Sequence, residues 1–270
     1  MTDRYKKFAL PLSILLLAGG TFAAHADEWR YSIGAHDFNV PDVDSHTYGV
    51  TGGVWIDKQT SSGWHYVAAA EIFADRDKDD LDPDHIPIRC DVHLSTDGNL
   101  WQGDRTHIDW TANFDTRMNT VSSVEREMTA LPAIVARYEG NVFQPSLKAG
   151  AGWFFLEIDD DVPKTRGYDR SDFRNSVLGY SMAADVKIRL GACCRIDVMA
   201  QGWVDDQDWL QNQYAVALHF GADRWKKDSE VVLSAAAYEY NLDVYQRPGE
   251  PAILPWDNDL LIRLSFKTAR

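Results

Sequence analysis

Beyond Leu17 the sequence has no apolar run long enough to cross a bilayer as a helix, which takes about 20 residues. The run Phe8–Leu17 is itself too short for that. It follows Arg4, Lys6 and Lys7 and precedes the small-x-small triplet Ala24-His25-Ala26. Basic start, short apolar core and small-residue site are the order of a secretory signal peptide. Cleavage is expected after Ala26, so 1–26 reads as signal and 27–270 as a single domain. No Cys stands directly after the apolar core, which argues against a lipid-anchored start.

Cysteine is scarce, at three residues: Cys90, Cys193 and Cys194. No Cys-x-x-Cys or Cys/His spacing is present to suggest a zinc site. Export permits a disulfide, but an odd count leaves at least one thiol over. Neighbouring residues on a strand point to opposite faces, so Cys193 and Cys194 are expected to be poor partners for each other. Positive charge is also short. Lys and Arg number 27 against 41 Asp and Glu, for a net charge of −14. Without a basic patch to displace phosphate counterions, nucleic acid is excluded as a partner. Loss of the basic signal segment makes the exported part more acidic still.

What the chain does have is alternation. In Leu178–Leu190 one face carries Leu178, Tyr180, Met182, Val186 and Ile188, and the other Gly179, Ser181, Asp185, Lys187 and Arg189. A helix cannot separate those two sets, whereas a strand must. The same period recurs near Trp29, Tyr48, Trp64, Ile88, Trp110, Ile196, Tyr214 and Ile262. Weaker segments lie at Ala130–Tyr138, Leu147–Leu156 and Val231–Tyr240. About twelve strands result, with ten as the smaller even count if the weaker segments are discounted. A mean hydropathy of −0.35 does not oppose this, because a barrel hides its membrane face in alternate residues. Trp29, Trp64, Trp110, Tyr138, Trp153, Tyr180 and Tyr214 fall on the apolar face near strand ends, where headgroup girdles form. Long segments at Thr116–Met128, Asp159–Asn175 and Asn241–Asp257 alternate with tight ones at Glu139-Gly140-Asn141 and Gly191-Ala192-Cys193. The stretch Thr96–Arg105 is long for a turn.

These features together resemble bacterial outer-membrane β-barrel proteins. The resemblance implies an all-β, antiparallel transmembrane barrel with short periplasmic turns and long extracellular loops, in the outer membrane of a Gram-negative bacterium. The implied partners are outer-membrane lipids, lipopolysaccharide and the barrel-assembly machinery. Such chains often end in an aromatic residue. Here that residue is Phe266, with Lys267-Thr268-Ala269-Arg270 after it.

The polar face supplies the candidate functional residues. Arg89, Asp91, Asp109, Arg137, Asp185, Lys187, Arg189, Arg195, Asp197 and Arg263 fall on it and are expected to form a lumen charge network. That network either fills the interior or lines a small pore whose charges select solutes. His65, His85, His93, His107 and His219 share this face. The stretch His93-Leu94-Ser95-Thr96-Asp97-Gly98-Asn99 is similar to the His-x-Ser motif of outer-membrane phospholipase A and of lipid A deacylases. The resemblance implies His93 and Ser95 as base and nucleophile, since residues two apart on a strand share a face. Two departures stand beside it. Thr96-Asp97 interrupts the motif, and the alternation puts the pair inside, whereas the family carries it on the lipid face. Asp97-Gly98 also reads as a turn.

Acidic clusters mark the loops: Asp77, Asp79, Asp80 and Asp82 on one, Asp159, Asp160 and Asp161 on another. No cofactor is required by the sequence, and loop-bound Ca2+ or Mg2+ is the one ion these carboxylates suggest. The leading expectation is a non-enzymatic outer-membrane barrel, acting as a narrow channel or a structural surface protein. A lipid-modifying hydrolase of the phospholipase or deacylase type is the second expectation. A barrel component of a secretion or export system is the third.

Overall fold

The computed structural model describes residues 29–60, 64–76, 88–118, 124–159, 161–169, 172–191, 193–254 and 256–269. The expected signal segment, with its cleavage after Ala26, lies outside them. Twelve strands account for most of the described chain. They are β1 (Trp29–Val40), β2 (Ser45–Gln59), β3 (His65–Asp75), β4 (Ile88–Gln102), β5 (Thr106–Met118) and β6 (Val124–Tyr138). There follow β7 (Phe143–Ile158), β8 (Arg174–Arg189), β9 (Cys194–Val204), β10 (Trp209–Gly221), β11 (Ser229–Tyr240) and β12 (Asn258–Ala269). The helix α1 (Asp161–Thr165) is a single short turn between β7 and β8.

Each strand pairs antiparallel with its sequence neighbour, and β12 pairs back onto β1 from Arg30↔Ala269 to Asn39↔Leu260. The sheet is therefore a closed up-and-down barrel with no free edge. Closure is what hydrocarbon demands, because a backbone N–H or C=O left unpaired there has no water to bond. No described helix is long and apolar enough to cross a membrane.

Side chains follow the alternation read from the sequence. On β8, Leu178, Tyr180 and Met182 are 80, 54 and 71 % exposed, while the intervening Ser181 and Ala183 are 2 and 5 % exposed. That contrast is the signature of an apolar outer face and an enclosed inner one. The aromatic set also lies outward: Trp64 meets Trp110 edge to face at 5.3 Å, and the Trp153 indole donates to Ser176 Oγ at 2.9 Å.

Both described ends of the chain lie at one rim, here the terminal end, with the connections 103–105, 139–142 and 222–228 and the described residues of 60–64 and 190–193. At the opposite loop end β1, β3, β5, β7, β9 and β11 run out, and there lie 41–44, 205–208 and the described residues of 159–173 and 241–257. Three sequence expectations are corrected. β4 runs straight through Asp97-Gly98 to Gln102, so no turn sits there and the connection shrinks to 103–105. β5 and β6 continue to Met118 and back to Val124, so Thr116–Met128 is mostly strand. Cys193 ends the tight connection before β9, as its place in that turn implies, so strand alternation does not separate it from Cys194; the two are not the poor partners expected, and their sulfurs sit 3.4 Å apart.

One close approach of backbones shapes the wall. The β6–β7 ladder skips from Ala130↔Trp153 to Ala133↔Gly150, passing Leu131 and Pro132. Pro132 has no N–H to give, and such residues are kept out of regular central ladders. Gly150 and Gly152 face this gap, and a Cβ on either would run into the carbonyl oxygens of Pro132 and Ala130. Gly152→Val should therefore destabilise the refolded barrel by about 1–3 kcal/mol, the usual cost of overpacking. A lowered urea midpoint at unchanged slope would show it.

Candidate functional site

The inward side chains enclose two adjoining cavities of about 320 and 370 Å³. They share Glu71, Asp91, Asp185, Met199, Gln213 and Tyr238. Register explains the convergence: Glu71 lies opposite Asp91, Asp91 opposite Arg117, and Arg117 opposite Glu127. All therefore point to the lumen.

The middle of the lumen is wet. His93 Nδ1 lies 2.5 Å from Asp115 Oδ1, yet these inward side chains are 42 and 49 % exposed. Solvent must reach them from inside the barrel. Around them the charges segregate by wall. β3, β4 and β5 contribute Glu71, Asp91, Asp97, Asp109 and Asp115; β7, β8 and β9 contribute Lys148, Lys187, Arg189 and Arg195. Arg89 and Arg117 on the first wall and Asp185 and Asp197 on the second reduce the contrast without reversing it, so a solute in the lumen meets a mainly acidic wall on one side and a mainly basic one on the other.

Most members of the expected charge network have partners. Arg137 holds Asp109 at 3.1 Å, Arg195 holds Asp197 at 2.8 Å, and Arg263 reaches Glu71 at 2.6 Å. Asp185 accepts from Ser146 Oγ at 3.4 Å, and Lys187 is in register with Asp197. Arg189 stands exposed at the terminal-end rim in register with Arg195. Arg89 departs from the expectation. It is almost fully buried near the loop end, with its guanidinium 3.7 Å from the Phe73 ring centroid and the Asp91 carboxylate 3.6 Å from its Nε. Every described histidine faces a carboxylate: His36 with Asp75, His46 with Asp37, His65 with Asp57 and Asp97, His93 with Asp115, His107 with Glu139, and His219 with Asp197 and Glu230. His85 lies outside the described residues.

His93 and Ser95 share the lumen face, as their alternation implies. The His93 imidazole is engaged by Asp115, and Ser95 stands between Val67 and Asn113 in the ladder. Among the described contacts none joins His93 to Ser95. Of the acidic loop residues, Asp77, Asp79, Asp80, Asp82 and Asp160 lie outside the described residues. Asp161 begins α1 and Asp159 precedes it. Among the described residues no group of three or more His, Cys, Asp or Glu is placed to hold a metal ion.

Toward the loop end the lumen changes character. Inward positions become apolar: Phe38 and Val40 on β1, Phe73 on β3, Phe154 and Leu156 on β7, Trp203 on β9, and Leu261 on β12 are all buried. The 241–257 connection folds over them. Its Ile253 and Leu254 enter one apolar cluster and its Trp256 packs on the other, so this segment bridges the mouth. The Tyr245 hydroxyl donates to the Leu156 carbonyl at 3.1 Å. The 159–173 connection clasps it from the other side. Arg166 donates to the Ala252 carbonyl at 2.7 Å, Tyr168 donates to Glu250 at 3.0 Å, and Arg247 donates to Asp172 at 2.7 Å while lying 4.0 Å over the Tyr168 ring. Beneath this lid Arg117 is buried beside Tyr240 (2.5 Å), Glu127 (3.5 Å) and Asp259 (3.6 Å), and stacks on Tyr238. Arg117 and Glu127 fall in the stretch Thr116–Met128, whose composition reads as a loop, so the cluster is not apparent from the sequence. Their continued alternation with Thr116 and Met128 was the available signal.

No family model matches the chain, and no curated protein matches it. Among solved structures, the NanC porin aligns at a TM-score of 0.53 and 10 % identity, over 89 % of this chain and 99 % of that one. The KdgM porin in complex with disordered oligogalacturonate aligns at 0.48 and 8 % identity, over 88 and 99 %. Outer membrane phospholipase A from Escherichia coli aligns at 0.44 and 10 % identity, over 88 and 92 %. The likeness to NanC establishes a shared fold, that of outer-membrane β-barrels.

The clasp carries its own pH dependence. The backbone N–H of Asp169 and the Arg247 guanidinium both bond the Asp172 carboxylate and hold its pKa below the ordinary range. A depressed carboxyl stabilises the clasp above its ordinary value, about 3.9, and that contribution is lost as pH falls through the lowered value. Spin labels at Lys164 and Val244 should give one narrow distance distribution at neutral pH that broadens only below about pH 4. In Asp172→Asn the distribution should no longer change over this pH range.

Proposed function

We propose that this protein is a narrow channel of the Gram-negative outer membrane, closed at its loop end by a lid of two long connections. It passes small charged or zwitterionic solutes between a mainly acidic and a mainly basic wall. The observation that carries this reading is the water-exposed His93–Asp115 pair at mid-lumen, directly beneath a mouth covered by apolar side chains. A purely structural barrel has no need of a solvent-filled centre, whereas a conduit does. The charge segregation supports selection by field, since charges in a confined, poorly screened lumen act over its whole width. That the aligned NanC structure is a porin agrees with the reading at the level of the fold.

The loop-end rim faces outward in this account, toward lipopolysaccharide. Phe266, on the lipid face of β12, is the aromatic that the assembly machinery would read. The terminal end opens to the periplasm, where Arg195, Asp197, His219 and Glu230 form the rim.

Conductance across planar bilayers tests the proposal. The refolded protein should show brief, rare openings. Arg247→Ala should raise the open fraction several-fold, because it removes the contacts to Asp172 and Tyr168 together. Replacing residues 242–256 by a short glycine turn should leave a steady current. A lidless barrel that retains the heat-dependent gel shift of a closed sheet yet carries no current would contradict a channel and favour a structural role.

A further inference from the structure

The turn between β8 and β9 holds a pair of thiols apart from the lumen. Cys193 is exposed and closes the turn; Cys194 is half-buried and opens β9. Both positions are pinned by backbone bonds. Gly221 N–H donates to the Cys193 carbonyl at 2.8 Å, and Leu190 N–H donates to the Cys194 carbonyl at 2.9 Å. The two sulfurs are held 3.4 Å apart, in van der Waals contact and unbonded. We propose that Cys193 and Cys194 form a reversible dithiol–disulfide site at the terminal-end rim of the barrel.

Geometry decides what kind of disulfide this is. Consecutive Cα atoms are about 3.8 Å apart, below the roughly 4.4–6.8 Å that ordinary disulfides span. A bond closed across a single peptide is therefore strained, and strained, exposed disulfides are the easily reduced ones. The site switches and does not staple. The oxidant is a low-molecular-weight or protein disulfide. The exposed Cys193, as thiolate, attacks one sulfur of that disulfide. Its S–S bond breaks, a mixed disulfide forms on Cys193, and the first thiol leaves. Cys194 then gives up its proton to solvent and attacks Cys193 Sγ, closing the Cys193–Cys194 bond and releasing the second thiol. Two protein thiols become one disulfide, and the oxidant disulfide becomes two thiols.

The third cysteine is not part of the site. Cys90 lies on the lipid face of β4, in register with Ile72. Arg195, by contrast, follows Cys194 directly and holds both Asp197 and His219, so closing the ring shifts the backbone next to the charged rim.

Intact-mass analysis of the refolded full-length barrel, exposed to oxidised glutathione, tests the assignment. The mass should fall by two hydrogen atoms, with the change confined to the peptide that carries Cys193 and Cys194. Dithiothreitol should restore it, and Cys90→Ser should behave identically. In Cys193→Ser the reaction should stop as a glutathione adduct on Cys194. A stable glutathione adduct on Cys193 in the wild-type chain, or dimers linked through these residues, would overturn the proposal. The gel shift of the closed barrel confirms that each variant is folded.

Discussion

Everything in this molecule depends on the pairing of β12 with β1. Inside a bilayer no water is available to bond a backbone amide, so a sheet survives only if its first and last strands satisfy each other. Closure then assigns the side chains. Alternate residues face hydrocarbon, and the rest are confined to an interior that must balance its own charge. The ion pairs of that interior follow from this confinement: Arg263 with Glu71, Arg137 with Asp109 and Arg195 with Asp197.

The same rule explains why the interior is not polar throughout. Strands of up to 16 residues exceed the roughly 9–11 that a tilted crossing uses. The excess at the loop end stands in water, where the solvent preference reverses. Asp37 and Asn39 on β1 lie on the outer face there, and Phe38 and Val40 turn inward. A small apolar core forms inside the rim, and the 241–257 connection completes it with Ile253, Leu254 and Trp256. Burial of Arg117 beneath that core is tolerated because Tyr240, Glu127, Asp259 and the Tyr238 ring surround it. The lid is thus a water-soluble core grown on a membrane wall.

The fold was legible because its signal is local. Period two in Leu178–Leu190 needs no tertiary knowledge, and each of the twelve strands lies where the alternation puts it. Strand ends were less legible. Asp97-Gly98 has turn chemistry, yet the ladder to Thr111 and Trp110 carries it through as strand. Thr116–Met128 looks like a loop because its inward positions include Arg117 and Glu127, whose partners Tyr240 and Asp259 come from distant strands. Cross-strand partners were illegible altogether: that His93 meets Asp115 depends on the β4–β5 register, which no single segment encodes. The Cys193–Cys194 contact was hidden by a one-residue boundary, since alternation applies only once β9 has begun.

The central claim, that successive residues of one strand see lipid and then an enclosed aqueous interior, is tested most directly on β8. Nitroxide labels placed singly at residues 178–187 in reconstituted protein lacking Cys90, Cys193 and Cys194 report collisions with oxygen and with a water-soluble nickel chelate. Oxygen collisions should peak at Leu178, Tyr180, Met182, Ala184 and Val186, and chelate collisions at Ala183, Asp185 and Lys187. A helical period in either profile, or equal access at neighbouring sites, would contradict the account.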